Sequence, residues 1–214
     1  MRRYNEFVSS SSINSQAAKR AEADFPTKFG HFRIVGFEGT ERDPETCRPE
    51  AAVALVMGDI QAQAPLVRIH SQCLTGDVFH SLRCDCRDQL ELALKMIANA
   101  GSGILIYEQK EGRGIGLIAK LQAYELQDQG LDTVEANERL GFKADHREFE
   151  LPAAVLRTLG VHQVRLISNN PQKVAALENA GIRVVERVPC EPGATEKSAA
   201  YLRTKKEKLG HLLK

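Results

Sequence analysis

The sequence predicts an α/β fold, with strands and helices alternating in a three-layer core and a more β-rich N-terminal third. Three features predict it. Short apolar runs such as Ile104-Leu105-Ile106-Tyr107 have the length and content of strands buried on both faces. Stretches of helical period separate these runs. Proline and glycine punctuate the stretches: Pro152 and Pro171 suit first turns of helices, and Gly101, Gly130, Gly160 and Gly181 suit helix ends.

In chain order, residues 1 to 14, with serine at every position from Ser9 to Ser12, read as a flexible leader before a single domain over 15–214. A short helix is expected from Gln16 to Asp24, ended by Pro26. Gly30 to Phe37 and Ala51 to Ile60 are β-rich, with a loop holding Thr40 to Pro49 between them. Pro65-Leu66-Val67-Arg68-Ile69-His70 alternates as a half-buried strand does. Asp88 to Asn99 places Leu90, Leu94 and Ile97 on one helical face. Helices are also expected over Ile115 to Gln129, from a Thr133 cap to near Gly141, and over the segments ending at Gly160 and Gly181. Val164 to Ile167 and Arg183 to Val185 supply strands, and Tyr201 to Leu213 a last basic helix.

The charge balance narrows the partners. With 29 basic and 28 acidic residues the chain is near neutral, whereas a nucleic-acid binder normally carries a clear basic excess. An anionic ligand must therefore meet a local cluster of cations. No run of eighteen apolar residues suggests a membrane span, and the polar start does not read as a secretory signal. Five cysteines, an odd number, do not read as a disulfide framework, so a reducing cytoplasm is expected.

Clustered cysteines in that setting suggest a metal. Cys73, Cys84 and Cys86 form a C-x10-C-x-C pattern. Zinc takes thiolates readily, and three protein ligands leave a fourth place for water, as catalytic sites do. In an extended segment Cys84 and Cys86 would point to one side, with Cys73 returning from the end of the preceding strand. Two other readings stay open on spacing alone: buried apolar cysteines, or a closed structural site completed by His70 or His80. Arg68, His70, Arg83 and Asp85 crowd the same stretch, and arginines suit an anionic substrate better than a structural knuckle.

The stretches Arg68-Ile69-His70-Ser71-Gln72-Cys73-Leu74-Thr75-Gly76-Asp77 and Ser81-Leu82-Arg83-Cys84-Asp85-Cys86 resemble the zinc-binding signature of GTP cyclohydrolase II. The likeness continues through Glu111 to Leu117, Ala123 to Asp128, Asp132 to Asn137, Ser168 to Lys173 and Thr204 to Leu213, so it runs from about residue 18 to the end. Such a resemblance implies a hydrolase that takes GTP, removes C8 of the guanine as formate and releases pyrophosphate, at the start of riboflavin synthesis. It further implies one Zn²⁺ per subunit on Cys73, Cys84 and Cys86, Mg²⁺ on the triphosphate, and a homodimer.

Matching positions supply the expected roles. Arg68, Ile69, His70, Ser71 and Gln72, with Gln89, Glu111, Gly112, Arg113, Thr133, Ser168 and Lys173, fall on nucleotide-contact positions, and Tyr124 on one near the reacting base. A carboxylate at Glu111 could accept from guanine N1 and N2. Asp145 and Arg147 match an acid/base aspartate and a proposed nucleophilic arginine. Because a guanidinium stays protonated above pH 12, Arg147 reads better as a phosphate clamp, with Asp145 orienting it or accepting a proton. Gln72 stands where many members carry Glu, Arg87 where glycine is frequent, and the asparagine pair usual before the last helix is missing. Two alternatives follow: a paralogue that stops at the formamide or uses another purine nucleotide, and a non-catalytic nucleotide-binding homologue.

Overall fold

The computed structural model describes residues 16–42, 49–142, 147, 149–193 and 199–212; the expected leader and Asp145 lie outside these. Seven strands form one mixed sheet in the order β1-β2-β3-β5-β4-β6-β7. The strands are β1 (Ala17–Thr27), β2 (Gly30–Arg42), β3 (Pro49–Met57), β4 (Leu66–Ser71), β5 (Gly103–Glu108), β6 (Gln163–Ile167) and β7 (Arg183–Val188). The first three run antiparallel as a meander, and β3 joins β5 antiparallel; β5, β4, β6 and β7 are mutually parallel. The helices are α1 (Leu74–Asp77), α2 (Cys86–Ala100), α3 (Leu117–Asp128), α4 (Thr133–Arg139), α5 (Glu150–Thr158), α6 (Pro171–Asn179) and α7 (Ala199–Leu209). None is long and apolar enough to cross a membrane.

Two apolar layers sandwich the sheet. On one face Val67, Ile69, Ile104, Ile106, Val164 and Leu166 pack with Leu151, Val155 and Leu156 of α5 and Leu177 of α6. On the other, Phe32, Leu66, Leu105 and Ile167 pack with Ala93, Leu94 and Ile97 of α2. The α/β class and the layering expected from the sequence are therefore seen.

Four expectations change. The helix expected from Gln16 to Asp24 is replaced by strand β1, Ala17–Thr27. Its alanines, lysines and glutamates favour helix locally, and nearly every side chain is exposed, so no alternation marks it as β. Pairing with β2 along its whole length decides the outcome, aided by cross-strand contacts of Arg33 with Glu22, His31 with Asp24 and Arg20 with Glu38. As the sheet edge, β1 tolerates Pro26. Second, β4 is buried on both faces, polar residues included, because it is flanked by β5 and β6 and covered by helices. Third, Asp132 rather than Thr133 caps α4: its carboxylate takes Val134 N and Glu135 N while Glu135 reaches back to the Asp132 amide, a full capping box. Fourth, Cys86 opens helix α2 and does not lie in an extended segment.

Candidate functional site

Side-chain alternation along β4 sets the floor of a cleft at the carboxyl ends of β4, β5 and β6, where parallel sheets usually bind ligands. Val67 and Ile69 enter the α5 layer, so Arg68 and His70 face the α2 layer and line the cleft. Arg68 donates to Ile167 O (3.1 Å) and Gln89 Oε1 (2.6 Å), Gln89 donates to Asp85 Oδ2 (2.5 Å), and Lys205 of α7 donates to Asp85 Oδ1 (2.7 Å). This chain ties β4, α2 and α7 together around the cysteine segment. Burial pushes the His70 imidazole below its ordinary range despite Asp77 beside it. Asp77 accepts from Tyr107 OH (2.8 Å) and Cys73 N (3.0 Å) and lies 3.1 Å from His70 Nε2, fixing the loop that follows β4.

That loop and the start of α2 bring Cys73, Cys84 and Cys86 together, their sulfurs all within 4.8 Å of one another. The convergence comes from the turn of α1 and the helical start at Cys86 rather than from two extended residues on one side. Among the described residues no histidine or carboxylate joins the group. His70 is committed to Asp77, and His80 is exposed, its backbone left-handed. The group fits a thiophilic ion on two grounds. Hydrogen bonding from Cys84 and Cys86, then the nearby Lys120 charge, drives the Cys73 thiol far down, while the resulting thiolate pushes Cys84 up to about 11 and Cys86 well above the usual range. A divalent cation would relieve that mutual resistance to ionisation. Gly76 also lies against the sulfurs: a Cβ there would stand 3.0 Å from Cys84 Sγ and 3.1 Å from Cys73 Sγ, so the missing side chain leaves room for the cluster.

Opposite the cysteines, a tight turn over Glu111–Gly114 follows β5. Gly112 and Arg113 both take left-handed backbone, with φ of 60° and 61°. Glycine does so freely, whereas Arg113 is strained there by about 1 kcal/mol or more. Glu111 is buried and engaged by three donors: Leu74 N (2.7 Å), Gly112 N (2.9 Å) and Lys120 Nζ (2.7 Å). Its carboxylate thus braces the turn against the cysteine loop while still lining the cleft. Tyr124 on α3 bonds Thr75 Oγ1 (3.1 Å), and the Arg83 guanidinium covers its ring at 4.8 Å. Burial raises the Tyr124 phenol above its ordinary range, so it stays protonated.

The far wall comes from the loop after β6 and the start of α6. Asn170 caps α6, accepting from Gln172 N at 2.9 Å; Ser168 is buried beneath it and accepts from Asn170 N (3.1 Å). Lys173 is buried too, donating to Ile69 O (2.8 Å) with Phe149 under its ammonium. Arg147 reaches Ser71 Oγ (3.3 Å), and Ser71 donates to Glu108 Oε1 (2.6 Å).

The cleft thus brings together Arg68, His70, Ser71, Gln72, Cys73, Cys84, Cys86, Gln89, Glu111, Gly112, Arg113, Tyr124, Thr133, Arg147, Ser168 and Lys173. Ile69 is the exception among the described residues, since its side chain belongs to the opposite layer and only its carbonyl turns toward Lys173. Sequence reasoning missed Lys110, Lys120, Asn137, Lys205 and His211. Lys120 had a readable signal, being four residues before Tyr124 and so on its helical face. Among the described residues, eight lysines and arginines line the cleft (Arg68, Arg83, Lys110, Arg113, Lys120, Arg147, Lys173, Lys205); Arg83, Lys110, Lys120 and Lys205 pair with Asp128, Glu50, Glu111 and Asp85, and the cationic excess of the lining favours an anion despite the neutral whole.

Comparison with known proteins covers most of the chain. A family model described as GTP cyclohydrolase II matches residues 18–189. A GTP cyclohydrolase-2 of Histophilus somni (strain 2336) is 55% identical over 194 residues, covering 90% of this chain and 87% of that protein. One from Proteus mirabilis (strain HI4320) is 55% identical over 194 residues, covering 90% and 94%. Among solved structures, RibBX, a two domain 3,4-dihydroxy-2-butanone 4-phosphate synthase from A. baumannii, matches with a TM-score of 0.47 and 18% identity over 84% of this chain and 42% of its own, too loosely to inform function.

Proposed function

The chain belongs to the GTP cyclohydrolase II family, and on that premise we propose that it opens the guanine imidazole ring of GTP, releasing formate and pyrophosphate and leaving 2,5-diamino-6-(5-phosphoribosylamino)pyrimidin-4-one for riboflavin synthesis. One observation carries the reading: a three-cysteine cluster opens onto a cleft lined by eight cations, joining a metal-ligand set to a polyanion site. Cys73, Cys84 and Cys86 would hold a zinc ion, which when bound would supply activation of water near neutral pH, as three-ligand zinc sites do.

The remaining roles fall to the chain itself. Arg113, Arg147 and Lys173 take the triphosphate, with Mg²⁺ on its oxygens, because guanidinium and ammonium groups in a half-buried cleft bind phosphate strongly. Arg147 acts as a clamp beside the α-phosphate rather than as nucleophile; trapping of a nucleotidyl adduct on Arg147 would defeat this assignment. Asp145, two residues before it, orients it or accepts a proton. Tyr124, protonated and next to Thr75 and the cysteine loop, holds a proton for a nitrogen of the opening ring. Gln89, Thr133, Ser168 and the Arg68 to Gln72 segment shape the nucleotide pocket. Glu111 supports the site indirectly, by holding Lys120 and Leu74.

The working unit is a homodimer. Val78, Phe79, Leu82, Ile118 and Leu121 are exposed large hydrophobics on the cysteine loop and α3, segments linked by the Arg83–Asp128 ion pair and the Thr75–Tyr124 bond. A second copy would cover them.

The test is incubation with GTP and Mg²⁺ before and after zinc removal, with formate and pyrophosphate both measured. The reading expects both products from the zinc-loaded protein and no formate without zinc. Formate release that survives complete zinc removal, or no turnover of GTP by the loaded protein, would refute it.

A further inference from the structure

Lys120 lines the cleft on the side of the cysteine loop and is held there by contacts of its own. It projects from α3 into the gap between the tight turn and the cysteine loop, its side chain only 12% exposed. Its ammonium stands 3.2 Å from Cys73 Sγ and 2.7 Å from Glu111 Oε1. Glu111 in turn holds the amide of Leu74, the residue after Cys73, at 2.7 Å through its other oxygen. Carboxylate, ammonium and sulfur thus form a closed bracket around one cysteine. The turn makes room for it: a Cβ on Gly112 would lie 3.2 Å from Lys120 Cβ and 3.0 Å from Ile115 Cγ1, on a backbone already left-handed.

We propose that Lys120 is a positioning residue for the metal centre, donating a charge-assisted N–H···S bond to Cys73 while Glu111 fixes the ammonium. This rests on the reading that Cys73, Cys84 and Cys86 hold a metal. Three thiolates on a divalent ion carry one net negative charge in a half-buried site, and the ammonium balances it. Its bond to Cys73 also draws electron density from one sulfur of the three, so that sulfur donates less strongly to the ion. A metal held there would then be the stronger Lewis acid. Glu111 keeps the lysine on the sulfur instead of letting it swing to phosphate.

The prediction is read on the full chain loaded with Co²⁺, whose sulfur-to-metal charge-transfer band reports how electron-rich the thiolates are. The wild-type protein should bind one Co²⁺ with such a band. Lys120→Met should still bind one Co²⁺ but shift the band to longer wavelength, and Lys120→Arg should return it toward wild type. If the methionine variant does not fold, Lys120→Gln should show the same shift in smaller size. An unchanged band in a folded Lys120→Met or Lys120→Gln protein holding one Co²⁺ would overturn the lysine's role and leave the metal site intact. A wild-type protein that binds no Co²⁺ through sulfur would overturn the metal reading itself, and this proposal with it.

Discussion

Replacing Lys205 by methionine tests whether the C-terminal helix is fastened to the metal loop. Lys205 Nζ and Asp85 Oδ1 are 2.7 Å apart, with side-chain exposures of only 9% and 3%, and Asp85 lies between Cys84 and Cys86. Removing one partner strands a buried carboxylate, which costs about 3–5 kcal/mol. For a chain of this size each kcal/mol lowers the midpoint by about 2–4 °C, so the expected loss is about 6–20 °C. Burial alone would push the Asp85 carboxyl up, but the Lys205 charge and hydrogen bond outweigh it and hold it below the usual range. Its contribution is therefore present above the unfolded carboxyl pKa and lost as pH falls through the lower folded one. In Lys205→Met burial is countered only by the Gln89 and backbone hydrogen bonds, Asp85 takes up a proton more readily, and the deficit should shrink between pH 7 and pH 5. Urea unfolding of Lys205→Met, Asp85→Asn and the double variant supplies the cycle. Because the double variant buries no unpaired charge, it should be more stable than the sum of the single losses predicts. Single losses below about 1 kcal/mol, or strict additivity, would refute the fastening.

Gly76→Ala should keep the fold by circular dichroism yet weaken zinc binding on the order of 10–100-fold, since the added methyl presses Cys84 and Cys73 sulfurs at 3.0 and 3.1 Å; wild-type affinity in a chelator competition would contradict this. Burial, then the charges of Lys205, Arg147 and Arg113, pushes His211 down to about 3. The unfolded chain would take up that proton below about pH 6.5, so stability held at pH 7 is lost as pH falls from there toward 3. NMR should show a neutral His211 at pH 5 whose pKa rises when inorganic triphosphate enters the cleft, and an ordinary imidazole titration indifferent to triphosphate would be the contrary result. Asp132→Ala removes the acceptor for Val134 N (2.8 Å) and Glu135 N (3.0 Å) and the partner of Lys208, so thermal unfolding should register a loss of about 1–2 kcal/mol, with Asp132→Asn losing less.

Local signals gave most of the parallel half of the fold. The apolar runs at Ile104 and Val164 are strands, and Gly101 ends α2 in left-handed backbone, because burial on two faces and cap geometry are written in neighbouring residues. Strand β1 was not legible: its exposed alanines and charges carry no period, and its partner on β2 decides its conformation. The cysteines could be grouped by spacing, but the way they converge depends on Cys86 starting a helix. The bonds of Glu111 to Leu74 and Lys120 could not be read from its residue type, because folding brings those partners near. Lys205 and His211 were invisible as site residues, since α7 returns to the cleft from some 120 residues beyond Asp85.

X-ray absorption at the zinc edge of the zinc-loaded protein probes the heart of the account. Three sulfur scatterers at about 2.3 Å and one oxygen near 2.0 Å are predicted, with the oxygen shell altered when a GTP analogue fills the cleft. Four protein ligands around the ion, or zinc bound without sulfur, would contradict it.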